Sequence, residues 1–126
     1  MNKLINPYHN RMLITSSLFF LCALIASYNN LNHIFLIDLL LFITSINYWR
    51  YPLKDYRRIL DMLTVFIVIL FHINIININY FLIIPILLLY ISCKIINNYN
   101  ITSLMHCLMH ILVVILFITN YDYYYI

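Results

Sequence analysis

Glycine is absent from all 126 residues of this chain. With it go the phosphate-cradling loop, the dinucleotide fingerprint, the potassium-filter sequence and the nucleophile elbow, each of which needs glycine backbone freedom. Charge is scarce too. Asp, Glu, Lys and Arg make up 9% of the residues, against about one quarter in an ordinary soluble domain. A soluble fold this small lacks the interior to hide a composition that is 65% hydrophobic, which points to a membrane. The cysteines are only Cys22, Cys93 and Cys107. They are odd in number and lie inside apolar runs, so buried reduced thiols are expected rather than a disulfide framework.

What the chain holds in surplus is Ile, Asn and Tyr, the composition that an A+T-rich genome, viral or otherwise, encodes. Five apolar runs carry most of it: 12–28, 33–49, 59–76, 80–96 and 101–119. Each is near the ~20 residues that cross a bilayer core as a helix. The links between them are short and polar, and short links force neighbouring helices to run antiparallel. Asn stands at most of these links, where its side chain bonds local backbone and tolerates left-handed geometry in glycine's place. The first run is longer than the core of a cleaved leader and lacks its small-residue cleavage pattern. The expected fold is therefore all-α: a single polytopic transmembrane domain, 1–126, with five spans.

Orientation follows from the cations. Lys3 and Arg11 precede the first span, Arg50, Lys54, Arg57 and Arg58 lie between the second and third, and Lys94 closes the fourth. Five spans place all of them on one side, which the positive-inside rule makes cytoplasmic. The N-terminus is then cytoplasmic and the C-terminus extracytoplasmic, with the tyrosine-rich tail at the membrane–water interface. The net charge of +3 is explained by this placement, so no nucleic-acid partner is expected.

Polar side chains inside spans cost about 2.5 to 3.5 kcal/mol at the bilayer centre and should face inward. Helical spacing gathers them into stripes: Asp38, Phe42, Ser45 and Trp49 on the second span, Asp61, Thr64, Val68 and His72 on the third, and Ser103, His106, Cys107 and His110 on the fifth. A rise of about 1.5 Å per residue puts Asp38 and His72 at one depth in the outer half. There they form a buried structural pair or, on the sharper reading, a proton relay. The same arithmetic lets Ser45, Asp61, His106 and His110 converge in the cytoplasmic third.

His106 and His110 are one helical turn apart, the spacing that presents two imidazoles to one ion, and Asp61 offers a third ligand. Two histidines and a carboxylate with an open position suit a catalytic zinc. Equally, both histidines can serve as hydrogen-bonding groups between helices. Between the second and third spans, Arg50, Lys54, Arg57 and Arg58 alternate with aromatics at headgroup depth, a pattern for anionic lipid heads or for plain interfacial anchoring.

The order Ser45, then Asp61, then His106-x3-His110 resembles the pattern of the superfamily containing the alkaline ceramidases and the progestin and adipoQ receptors. That likeness implies a seven-span zinc hydrolase of lipid amides, with Ser45 and Asp61 as catalytic residues and His106, His110 and Asp61 at the metal. Trp49 stands where the pattern carries a further zinc-binding histidine, and this chain has five spans. A non-enzymatic membrane component without a cofactor is therefore the first expectation, and a zinc-dependent lipid hydrolase the second. Its partners are the bilayer and, through the small stripe Ser16, Ala23 and Ser27, itself or other membrane proteins.

Overall fold

The computed structural model describes residues 4–75 and 80–121. Lys3, Ile76, the 77–79 turn and the tail 122–126 lie outside the described residues. Within them the chain is all-helical, with helices α1 His9–Ser16, α2 Leu18–Tyr28, α3 Asn32–Trp49, α4 Tyr56–Ile75, α5 Tyr80–Ile95 and α6 Tyr99–Tyr121. Each of the five apolar runs is helical over most of its described residues, the fourth ending at Ile95. The first is interrupted at Ser17, whose hydroxyl donates to the Ile14 carbonyl and whose N–H turns back to the same carbonyl at 3.2 Å. Thr15 likewise bonds the carbonyls of Arg11 and Met12. The hydroxyls of Thr15 and Ser17 thus compete for the helical ladder and tighten it locally.

The α2–α3 turn shows what replaces glycine. Asn30 takes φ 60°, the left-handed conformation a helix C-cap needs. Its N–H reaches Ser27 O at 3.0 Å, and the N–H of Leu31 reaches Ala26 O at 2.9 Å. These are the two bonds of a Schellman motif, so the end of α2 leaves no orphan carbonyl there.

α2 packs along α3 and has Cys22, Ala23 and Ala26 fully buried. Side chains this small let two backbones approach closely. Ser16 and Ala23 are buried within this chain and Ser27 is exposed. α3 also packs on α4, α1 and α2 on α6, and α6 on α5. The helices run round in the order α4, α3, α1 with α2, α6, α5. The main core joins Phe19, Leu41, Val68, Val114 and Phe117 from α2, α3, α4 and α6.

Three bonds bring the N-terminal segment to the other links at the same end. Ile5 N donates to Pro52 O at 3.0 Å, Asn6 Nδ2 to Tyr99 O at 3.3 Å, and Arg11 to Asn100 Oδ1 at 2.5 Å. The start of α1, the α3–α4 link and the α5–α6 link therefore share one end of the bundle, and every described Lys and Arg lies at that end.

Among the described residues two helical stretches are long and apolar enough to cross a membrane by length and composition, His9–Tyr28 and Tyr99–Tyr121. Only 33% and 28% of their most apolar windows is buried.

Candidate functional site

The polar side chains form two tiers inside the bundle. In the tier away from the basic end, His72 Nε2 of α4 lies 3.1 Å from Asp38 Oδ1 of α3. Asp38 is fully buried, and its other oxygen accepts the Tyr121 hydroxyl from α6. The His72 ring stacks on Phe117, with centroids 4.1 Å apart and planes within 7°. Three helices thus meet on one carboxyl, and an apolar wall holds the imidazole flat. Cys22 of α2 lies beside Tyr121 and Asp38. Tyr121 is invisible as a partner in the sequence, where it reads as the first of the interfacial tyrosines.

In the tier nearer the basic end, Ser45 Oγ donates to Asp61 Oδ1 at 2.7 Å, with both residues buried. Thr44, the residue before Ser45, is also buried and donates its hydroxyl to the Leu41 carbonyl at 3.2 Å. Asp61 therefore belongs to the α3–α4 seam. His106 and His110 of α6 lie elsewhere, His110 against Thr15 of α1 and Phe19 of α2 and His106 against Trp49 at the end of α3. Their rings meet edge to face at 4.6 Å, His106 also sits edge-on to Trp49 at 4.8 Å, and His110 to Phe19 at 5.2 Å. The Nδ1 of His110 is 2.8 Å from the Thr15 hydroxyl. Among the described residues no three His, Cys, Asp or Glu side chains converge as ligands for one metal ion. The donor set a catalytic zinc needs is thus not assembled from His106, His110 and Asp61, and one imidazole nitrogen is already engaged by a hydroxyl.

At the basic end the four cations of the α3–α4 link divide. Arg57 is used within the chain: Nε to Asp55 Oδ2 at 2.9 Å, one amino group to Tyr51 O at 2.9 Å and the other to Asn47 O at 3.4 Å. A planar fork suits this triple role. Its hydrogen bond to Asp55 holds that carboxyl below the ordinary value of 3.8 and raises Arg57 in turn. Arg50 and Lys54 are exposed and Arg58 is half-buried. Arg11, stacked over Tyr8 at 4.6 Å, also reaches Ser103 Oγ at 3.0 Å and so fastens α1 to α6.

The sequence singled out none of Thr15, Arg11 or Tyr121 as tying residues, since one hydroxyl in an apolar run or one flanking cation has no spacing to betray it. No family model, no curated protein and no solved structure matches this chain.

Proposed function

We propose that this chain is a five-span integral membrane protein, N-terminus cytoplasmic and C-terminus extracytoplasmic, acting as a non-enzymatic component of a membrane or membrane assembly. The observation that carries the reading is the inversion of its surface. Large apolar side chains point outward from every helix, with Ile14 70% and Phe66 60% exposed, while Asp38, Ser45, Asp61, His72 and His110 are buried. Water would penalise such a surface and hydrocarbon would not. The gathering of cations at one end supports the orientation.

The buried polar groups bond chiefly to one another across helices, as interhelical fasteners in lipid do. On this reading Arg50 and Lys54 lie at the headgroups of the cytoplasmic leaflet, each contributing about 1 kcal/mol towards anionic lipid. Arg57 holds the loop that presents them.

A lipid hydrolase is the second reading. It draws on the Ser45–Asp61 hydrogen bond but needs Asp61 beside the two histidines. Alkaline carbonate extraction of membranes from cells expressing the full chain tests the first reading. The chain is expected to stay with the membrane pellet and to dissolve only in detergent, and release by carbonate alone would contradict integral insertion.

A further inference from the structure

α4 is held along α3 and α5 along α6, and among the described residues α4 and α5 do not pack along one another. Between them, over α6, lies a cavity of ≈ 80 Å³ whose exposed surface is wholly apolar, with Ile69, Ile83, Leu87 and Leu116 in its lining. Such a cavity stays free of water and takes apolar guests. Helical register connects it to charge. On α4, Arg58, Met62, Val65 and Ile69 stand at i, i+4, i+7 and i+11, which is one stripe. On α5, Ile83, Leu87, Tyr90 and Lys94 repeat that spacing in the opposite direction. Each stripe runs from a cavity-lining residue to a cation at the basic end, about 16 Å away at about 1.5 Å per residue. That is about half of a ~30 Å hydrocarbon core, the depth that the chains of one leaflet fill.

No internal anion serves these two cations. Of the described carboxyls, Asp38 and Asp61 are buried in the bundle and Asp55 is bonded to Arg57. Among the described residues the side chains of Arg58 and Lys94 make no hydrogen bond and no ion pair. Arg58 is half-buried all the same, and Lys94 stands 5.3 Å over the Tyr90 ring.

We propose that an anionic phospholipid seats here, with one acyl chain along the α4–α5 cleft as far as the cavity and its phosphate between Arg58 and Lys94. A guanidinium fork grips phosphate oxygens in pairs and an ammonium adds a point charge. Tyr90 suits the boundary between chain and head. A helix of a second copy, about 10 Å across, is too broad for the cavity, whereas an acyl chain is not. Placing the head in the cytoplasmic leaflet rests on the five-span reading; the cleft and its two cations do not.

The test titrates the full chain in detergent micelles with phosphatidylglycerol and, separately, with phosphatidylcholine of the same chains, counting bound lipid by native mass spectrometry. One phosphatidylglycerol per chain is expected, with a midpoint at least about fivefold lower than for phosphatidylcholine, the effect of a single cation at a membrane surface. Arg58→Gln with Lys94→Gln should abolish that preference. Arg50→Gln with Lys54→Gln removes equal charge and should keep most of it. Ile86→Phe and Leu87→Phe each narrow the cavity and should weaken both lipids alike. Helical content and unfolding midpoint are checked in every variant, so that a folding defect is not read as a binding loss. Equal midpoints for the two lipids, equal loss of preference from both cation pairs, or undiminished binding in both cavity variants would each overturn the proposal. Carbonate extraction reads insertion separately, so failure of one result is distinguishable from failure of the other.

Discussion

The Tyr121 hydroxyl donates to the carboxyl of Asp38, 83 positions earlier in the chain, and this bond joins the end of α6 to the middle of α3. Asp38 is shared with His72, so the contact closes a three-helix junction. Tyr121→Phe keeps the ring and removes only the donor. We expect it to destabilise the bundle by about 1 to 2 kcal/mol, read as a lower unfolding midpoint in detergent, whereas no change would show that the hydroxyl is dispensable.

The same junction predicts coupling. His72→Phe and Asp38→Leu each strand a buried polar partner and should each be strongly destabilising, while the double substitution strands less than the two separately. A double-mutant cycle by unfolding in micelles should therefore give a double mutant less destabilised than the sum of the singles. Simple additivity would contradict a direct pair.

In the other tier, Ser45→Ala removes the hydroxyl that donates to the buried Asp61 carboxyl. A loss of about 1 kcal/mol is expected, with helical content unchanged.

The α3–α4 link should respond to acid. Asp55 is held below 3.8 by its bond from Arg57. A carboxyl with a lowered folded value stabilises the folded loop above its ordinary pKa, and that support is lost as pH falls through the lower folded value. Asp55→Asn should abolish it at all pH values. Hydrogen exchange of the 50–56 backbone is the measurement, with faster exchange expected in the variant at neutral pH.

Much of this arrangement was legible in the sequence, for identifiable reasons. Long apolar runs fix where helices form, and polar Asn-rich links fix where they stop. Asn30 reads as a turn residue because little else without glycine's freedom adopts its conformation. Asp38 and His72 share a depth by counting alone. What could not be read depends on which helix faces which. The stripe of Ser16 and Ala23 gives a face but not its neighbours, and both residues are buried within the chain. Asp61 and the two histidines share a depth but lie on different seams, because depth arithmetic carries no azimuth. Ser17 breaks a run whose hydropathy is continuous, since hydroxyl competition for carbonyls is a local effect that averaging over a window removes.

The separation of Asp61 from His106 and His110 bears on zinc. We expect purified protein to contain well under one zinc per chain by elemental analysis, with no difference in a His106→Ala, His110→Ala double variant. About one zinc per chain, lost in that variant, would favour the hydrolase reading. Without metal, the double variant should lower stability by about 1 to 2 kcal/mol, through loss of the Thr15 contact and the packing on Trp49 and Phe19.

Insertion with the basic end in the cytoplasm is the central claim, and reporter tags test it most directly. Dual reporters, one active only in the cytoplasm and one only outside it, are placed after Asn30, after Lys54, within the 77–79 turn, after Asn98 and at the C-terminus. The tags after Lys54 and Asn98 are expected to report cytoplasm, and those after Asn30, in 77–79 and at the C-terminus the opposite side. A cytoplasmic report from the 77–79 tag, or a split between Lys54 and Asn98, would contradict five spans.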